Sequence, residues 1–537
     1  MSIADSIYLN GNIYTVDGKF SVAQAMAVRD GRLLWVGTNE QVEKYAAAGT
    51  KRHDLGGATV VPGLVESHLH FLSVGEVLLQ INCFQKTKEQ ILAEVKAAYE
   101  SLRPGEWILG RGWNELDWTV PGLPSKEELN AVAPDAPVCL VRVCGHTSWV
   151  NDAALRAGGV TRETTDPVGG EVFKDANGEP TGILTDTAAH MVRRLIPPMT
   201  KSRKRDAYAA AQAQFFSFGI TAVCDMAANI GYDYGTIEHL KELFADGTLK
   251  IGVNAYVAAD SAADAYQVGP ECGLFGDLFS VRGIKFFTDG SLGARSAWML
   301  DDYEDRPGHK GNGRYTNEEL HAMVRACRAN GFQAATHAIG DAAIRQVLDV
   351  YEKVFEELPE PKDHRYRIEH AQIVHGDDLK RFGELGVLPS MQFVHCTSDK
   401  NMTEDRIGAQ RLPGAFAWRR MIGMGLPIPG GSDAPVELVN PFHGFYAGIT
   451  RRDRAGEPKG GWRPEERVTR EEALRAFTIW GAYASFEECV RGSLEVGKRA
   501  DFAVLDRDIV TCPEDETKDT TVKATVQGGV CVYGKLG

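Results

Sequence analysis

The sequence predicts an α/β protein built on a (β/α)8 barrel of the TIM type, with a small β domain assembled from both ends of the chain. Three observations carry this. Through the middle of the chain, apolar β-branched runs alternate with amphipathic helical stretches, as in a parallel sheet with crossover helices. The runs number eight, and eight parallel strands close into a barrel. Both ends instead read as short strands separated by turn dipeptides.

At the N-terminus, IYLNGNIYTV and AMAVRDGRLLWVGT each set strand-like segments on both sides of a turn pair. Asn10-Gly11 and Asp30-Gly31 suit type I′ hairpins, where both central residues take positive φ. The C-terminal SLEVGKRADFAVLD and KATVQGGVCVYG repeat the style. Residues 1–62 and 486–537 are therefore expected to form one composite β domain, with the barrel in 63–485.

The barrel runs are ATVVPGLVESHLH (58–70), GITAVCDM (219–226), KIGVNAYV (250–257), VRGIKFFTDG (281–290), FQAATHAIG (332–340), YRIEHAQ (366–372), GVLPSMQFV (386–394) and LPIPGGSDAP (426–435). Helical segments such as NEELHAMVRACRANG and AAIRQVLDVYEKVFEEL fall between them. The gap after the first run, roughly 150 residues, is too long for one crossover. It holds strand-like GEWILGRGW and APVCLVRVCG beside helical TKEQILAEVKAAYESL. Residues 75–200 thus read as an α+β insertion after strand 1 that shapes a substrate pocket.

Composition excludes several classes. With 43% apolar and 25% charged residues among 537, the chain can bury a large core, so intrinsic disorder is ruled out. A net charge of −14 without a basic run argues against nucleic acid as a partner. No stretch approaches the roughly 18 apolar residues of a membrane span. No basic region precedes an apolar run at the start, so a cytoplasmic protein is expected. Ten scattered cysteines without a CxxC pair read as reduced thiols.

The chemistry begins at Val65-Glu66-Ser67-His68-Leu69-His70. Side chains alternate along a strand, so His68 and His70 share one face and can bind one divalent metal. Lys285 lies in the apolar strand GIKFFTDG, where a charge is costly unless something neutralises or binds it. His337 ends QAATHA, His370 ends RIEHA, and Asp433 ends PGGSDAP. Taken singly, Lys285 could be a rim lysine and each of the others a hydrogen-bonded structural residue, which for a lone histidine is the better reading. Together they fall at the C-terminal ends of strands 1, 4, 5, 6 and 8, where barrel active sites lie.

With these motifs in order, the sequence resembles the amidohydrolase superfamily, and more closely its amidohydrolase-3 or YtcJ-like branch. The resemblance spans nearly the whole chain: VVPGLVESHLHF, GRGWNELDW, CGHTSWVN, GITAVCDM, IKFFTDGSLGARSAW, ATHAIGDAA, RIEHAQ, GGSDAPV and GSLEVGKRADFAVLD. It implies a distorted barrel flanked by a β-sandwich domain. It implies that His68, His70 and Asp433 bind one metal and His337 and His370 a second, making a binuclear centre bridged by an N-carboxylated Lys285. Imidazole and carboxylate ligands suit Zn²⁺ best, with Mn²⁺, Fe²⁺ or Co²⁺ as alternatives.

The implied reaction is hydrolysis of a non-peptide C–N bond in a small molecule, an amide such as an N-acyl or N-formyl amine. A hydroxide between the metals attacks the carbonyl, and Asp433 acts as base and then acid. The same site would also suit an esterase, lactonase or deaminase. A non-catalytic regulatory or scaffold protein on this fold is the alternative of another class. A homodimer is the family-level expectation.

In the insertion, His146 is a candidate to hydrogen-bond the carbonyl oxygen, and Trp113 and Trp118 to line an apolar pocket. Asp289 and Arg295 are further substrate-binding candidates on the loop after the lysine strand. Glu66 stands where many superfamily members carry Asp, and a structural role is expected for it. His375 and His395 also lie near strand ends, but the ligand pattern is complete without them.

Overall fold

A computed structural model describes residues 3–84, 86–115, 118, 122–142, 146–227 and 234–536. Cys144, Leu116 and Asp117, which belong to motifs quoted above, lie outside the described residues. The chain forms two compact units, Met1–Ser73 with Ala211–Gly537, and Val74–Ala210.

The first unit contains a parallel, nearly closed sheet of seven strands: β1 (Leu64–Leu69), β2 (Ile220–Met226), β3 (Gly252–Ala258), β4 (Phe279–Phe287), β5 (Gln333–Ala338), β6 (Arg367–His370) and β7 (Leu388–Ser390). Each pairs with its neighbour in chain order. Every residue of β1 and β2 is buried, as expected for strands covered on both faces. Register shifts in the β1–β2 and β3–β4 pairs distort the ring.

The eighth run closes the barrel without forming a ladder strand, which corrects the sequence expectation. Pro427 and Pro429 have no N–H to give. Single bonds do the joining instead. Ser67 N donates to Gly430 O at 3.0 Å, Asp433 N to His68 O at 2.8 Å, and His70 N to Ala434 O at 2.9 Å. Met391 N donates to Pro429 O on the other side, at 3.2 Å. Gly431 permits this close approach, because a Cβ there would lie 2.7 Å from Glu66 Oε1.

The unit has two further sheets, one N-terminal and one shared by both ends of the chain. One has four strands, Arg32–Gly37, Ala25–Arg29, Ser6–Leu9 and Lys51–Asp54. The other has six, Val530–Gly534, Val522–Gln527, Phe502–Leu505, Thr59–Pro62, Asn12–Tyr14 and Val22–Ala23. Thr59–Pro62 pairs antiparallel with Phe502–Leu505 and so joins the termini. Tyr8, Met26, Val28, Phe502, Val504 and Val526 pack in one core.

Asp30 and Gly31 take φ of 51° and 74°, and the hairpin they were expected to turn is present. Asn10-Gly11 does not turn a hairpin. Asn10 has positive φ, but the flanking strands belong to different sheets. A Cβ on Gly11 would lie 2.7 Å from Leu55 Cδ1, so the glycine serves a close crossing between sheets.

The second unit carries a six-stranded sheet in the order Val172–Lys174, Pro180–Thr185, Thr147–Val150, Val138–Arg142, Ile108–Trp113 and Ile81–Asn82. The helix Lys88–Glu100 starts on a Thr87–Gln90 capping box and buries Ile91 and Val95 against Trp113, Leu129 and Leu140. Among the described residues, no helix is long and apolar enough to cross a membrane.

The shared terminal core is testable. Phe502 is fully buried and meets Tyr8 edge-on, with ring centroids 4.9 Å apart. Phe502→Ala should destabilise the protein by about 3–5 kcal/mol in urea unfolding. The same truncation at exposed Val530 should change little.

Candidate metal centre

Alternation along β1 places Glu66, His68 and His70 on one face, and the other strand ends bring Lys285, His370 and Asp433 to them. Three histidines have their Nδ1 atoms tied down. His68 Nδ1 lies 2.6 Å from Glu369 Oε2, His70 Nδ1 2.6 Å from Met226 O, and His370 Nδ1 2.7 Å from Gln392 Oε1. A carbonyl or carboxylate oxygen only accepts, so each Nδ1 carries the proton and each Nε2 keeps its lone pair. Such anchoring fixes tautomer and ring orientation for a metal-binding imidazole.

Asp433 faces the lone pairs of His68 and His70. Its Oδ1 lies 3.1 Å from His70 Nε2 and 3.5 Å from His68 Nε2, and its Oδ2 lies 3.8 Å from His395 Nε2. Acceptor then faces acceptor in a buried place, an arrangement that requires a cation or proton between them. Asp433 Oδ1 and His395 Nε2 are buried without a hydrogen-bond partner. Two donor sets result, His68–His70–Asp433 and His370–His395–Asp433, each with its ligand atoms within 4.8 Å of one another. The residues present therefore fit a divalent ion of the zinc type.

Backbone conformation at the site is unusual. His370, Ala371 and Asp433 have φ of 72°, 43° and 60°, a region non-glycine residues seldom occupy. Such positions persist only where the surroundings over-determine them, and they gather at functional sites.

Beneath the site runs a buried ion pair. Arg367 and Glu369 are fully buried, two residues apart on β6, with Arg367 Nη2 donating to Glu369 Oε2 at 3.1 Å. Arg367 also donates to Ser67 O at 2.7 Å, Ser390 Oγ at 2.8 Å and Tyr256 Oη at 3.1 Å, tying β1, β7 and β3 together. Burial opposes ionisation of Glu369, but Arg367 and His68 outweigh it and hold the carboxyl far below its usual range.

The other ionisable groups divide by burial and neighbours. Burial, with Lys285 nearby, pulls His68 down to about 4 and keeps it neutral at pH 7. His370 is pushed well below the usual imidazole value by burial and His337. Burial pulls Lys285 down to about 8 against the opposing carboxylates of Glu369 and Asp433. Its Nζ lies 3.5 Å from His68 Nε2. Burial opposes the Asp433 carboxylate, yet His70, His68 and His370 hold it well below the usual range.

His337 meets His370 edge-on at 4.5 Å, while its Nε2 lies 3.3 Å from both Asp289 Oδ1 and Gly290 O. Asp289 is buried and accepts from Trp298 N, Ile339 N and Gly340 N at 3.0, 3.1 and 2.8 Å. It ties the loops after β4 and β5 behind His337 and does not present a free carboxylate to substrate. Arg295 is paired with Asp305 through Nε at 3.0 Å and Nη2 at 2.7 Å, the ion-pair alternative to anion binding.

In the second unit, Trp113 and Trp118 are 0% and 5% exposed and pack with Trp149. They belong to that unit's core and not to an open pocket wall. His146 is largely exposed there, with Nδ1 2.8 Å from Asp186 Oδ1.

Sequence reasoning missed Glu369, Arg367 and Gln392, and it named His395 but set it aside. The pair Arg367-x-Glu369 in an apolar run was a usable signal, since two like-facing charges in a buried strand must pair. His375 caps the helix Gly376–Leu385 and meets Arg345, so leaving it out of the ligand set agrees with its position.

A parallel barrel whose strand ends gather oriented imidazoles and a buried aspartate is the scaffold of a metal-dependent hydrolase. A model of the amidohydrolase family matches residues 52–533, and the chain belongs to that family. It is 33% identical, over 99% of both chains, to YtcJ of Bacillus subtilis strain 168, an amidohydrolase by name. It is 28% identical, again over 99% of both, to the N-substituted formamide deformylase of Arthrobacter pascens. The crystal structure of an uncharacterized metal-dependent hydrolase from Pyrococcus furiosus superimposes with a TM-score of 0.77 at 28% identity, covering 94% of this chain and 100% of the other.

Glu66 generates a pH prediction. Burial raises its carboxyl from 4.5 to about 8, against the amides of Ser432 and His68 that donate to it. The folded state then holds a proton that the unfolded chain releases, so stability falls as pH rises from about 4.5 to about 8 and levels off above. Metal-free Glu66→Gln should gain stability relative to wild type across that window in urea unfolding at several pH values. Parallel curves would refute the assignment.

Proposed function

We propose that this protein is a metal-dependent hydrolase of a C–N bond in a small amide, of the N-acyl or N-formyl amine class. The observation that carries this is the approach of two Nε2 lone pairs, of His68 and His70, to Asp433, each imidazole being anchored through Nδ1. The likeness to a formamide deformylase along 99% of the chain supports the substrate class.

In this reading His68, His70 and Asp433 hold one divalent cation, Zn²⁺ by preference, and His370 with His337 a second. When bound, the cations polarise the substrate carbonyl and acidify water. The chain's own groups do the rest. Neutral imidazoles hold their lone pairs in place because their other nitrogens cannot turn away. Asp433, kept ionised by the surrounding histidines, takes the proton of the attacking water and returns it to the departing amine nitrogen. Lys285, pulled towards neutrality by burial, would add carbon dioxide at Nζ and release one proton to solvent, leaving a carbamate anion that could serve both cations. The barrel 63–485 is then the catalytic domain, with 1–62 and 486–537 as a composite β domain and 75–200 as its insertion. The free state of the described cysteines fits a reducing, cytoplasmic setting.

The test is a panel of N-formyl and N-acyl amines, esters, lactones and aminated rings. Turnover should centre on the amides, disappear with a chelator and return with Zn²⁺. A protein that purifies without a divalent ion and gains no activity from one would sink the reading. Asp433→Asn should lower kcat about 10²- to 10⁴-fold. Lys285→Ala should lower metal occupancy, with partial rescue by a short carboxylic acid.

A further inference from the structure

We propose that the unit Val74–Ala210 holds a small-molecule site of its own, a cavity that takes an organic ammonium ion with an apolar body. None of its residues belongs to the metal centre, and the proposal does not depend on the hydrolase reading.

Local sequence builds the walls. Side chains alternate along the strand Ile108–Trp113, so Ile108 and Leu109 fall on opposite faces of its sheet. Ile108 joins the core of Ile91, Leu129 and Leu140, while Trp107, Leu109 and Ile196 pack against a second core that includes Leu155, Leu184 and Val192. The same three residues, with Leu79 and Met199, line a cavity of about 330 Å³. Small-molecule sites span about 300–1,000 Å³ and are mostly apolar with a few placed polar groups. Every lining residue belongs to this one unit.

The polar part of the lining is unbalanced. Arg103-Pro104-Gly105-Glu106 forms a turn, in which Gly105 takes φ of 83° and Glu106 N donates to Arg103 O at 3.1 Å. The turn sets Glu106 on the cavity wall. Its Oε2 accepts from Arg103 N at 3.4 Å, but its Oε1 is buried and has no hydrogen-bond partner among the described residues. Arg103 cannot serve that oxygen. Its Nη1 is 4.0 Å away and donates to Ser202 Oγ at 3.1 Å, and its Nη2 donates to Asp206 Oδ2 at 2.7 Å. Glu76 brings a second carboxyl to the cavity, raised above its usual range by burial against the pull of Lys204. Among the described residues Arg203 is the only cation in the lining, and its Nη2 already donates to Leu79 O at 3.2 Å.

Acceptors are therefore in excess inside an apolar cavity. An ammonium group supplies the missing donors and the missing positive charge, and an apolar body covers the walls. An anionic ligand would instead meet Glu106 with like charge.

Equilibrium dialysis of the full-length protein with 2-phenylethylammonium, 2-phenylethanol and phenylacetate tests this. The three probes share an aromatic body and differ in charge. The ammonium should bind about tenfold or more tightly than either of the others. Glu106→Gln should weaken the ammonium about tenfold or more and leave the alcohol unchanged. Met199→Trp, which fills the cavity, should weaken all three. The control Glu100→Gln, at an exposed position, should match wild type. If Glu106→Gln fails to fold by circular dichroism, Met199→Trp carries the comparison.

Equal affinity for the three probes would overturn the proposal. So would ammonium binding that neither Glu106→Gln nor Met199→Trp changes, since it would then lie elsewhere in the molecule. No ammonium binding at concentrations up to about 1 mM would overturn it as well. Each of these outcomes leaves amide hydrolysis by the barrel untouched.

Discussion

The buried pair Arg367–Glu369 is the constraint on which the rest of the barrel mouth depends. A guanidinium and a carboxylate in a fully buried layer would each be heavily penalised alone, and they persist as a pair, Arg367 Nη2 donating to Glu369 Oε2 and the same oxygen meeting His68 Nδ1. Arg367 reaches backbone or side chains of β1, β3 and β7 from its place on β6. Glu369 passes that rigidity upward through Nδ1 of His68. The first imidazole of the metal site is thus oriented by a charge pair that never meets a substrate.

Around that anchor the centre is a collection of groups that do not satisfy one another. Imidazole lone pairs face a carboxylate, a lysine is buried close to neutrality, and a histidine nitrogen is left without a partner. Asp289, close by, instead finds three backbone amides. Unpaired groups of complementary chemistry are retained where a ligand supplies the missing contacts. The irregular eighth segment belongs to this design, since prolines and glycines let residues 429–434 approach β1 more closely than a regular strand would.

Much of this could be read from the residues. The alternation of apolar runs and helices located all eight barrel positions, because buried parallel strands are continuous apolar stretches. His68, His70, His370 and Asp433 were legible from their places at strand ends, and they do converge. What failed had a common cause. Asn10-Gly11 looks locally like Asp30-Gly31, but the flanking strands join different sheets, and no local signal carries that choice. Trp113, Trp118, Asp289 and Arg295 carry groups that suit a ligand equally well as a protein neighbour. Their neighbours, Trp149, the amides after β5 and Asp305, come from distant parts of the chain.

By itself, then, the sequence determined the alternating architecture, the joining of the two termini and the residue types from which a metal centre could be made, since these follow from periodicity and order along the chain. Only the tertiary structure decided which nitrogen of each anchored histidine is free and which acids are already paired. Glu369 is 301 positions from His68, and Asp433 lies farther still along the chain. Tautomer, charge and ligation depend on distances of a few ångströms between such residues, and folding alone sets those distances.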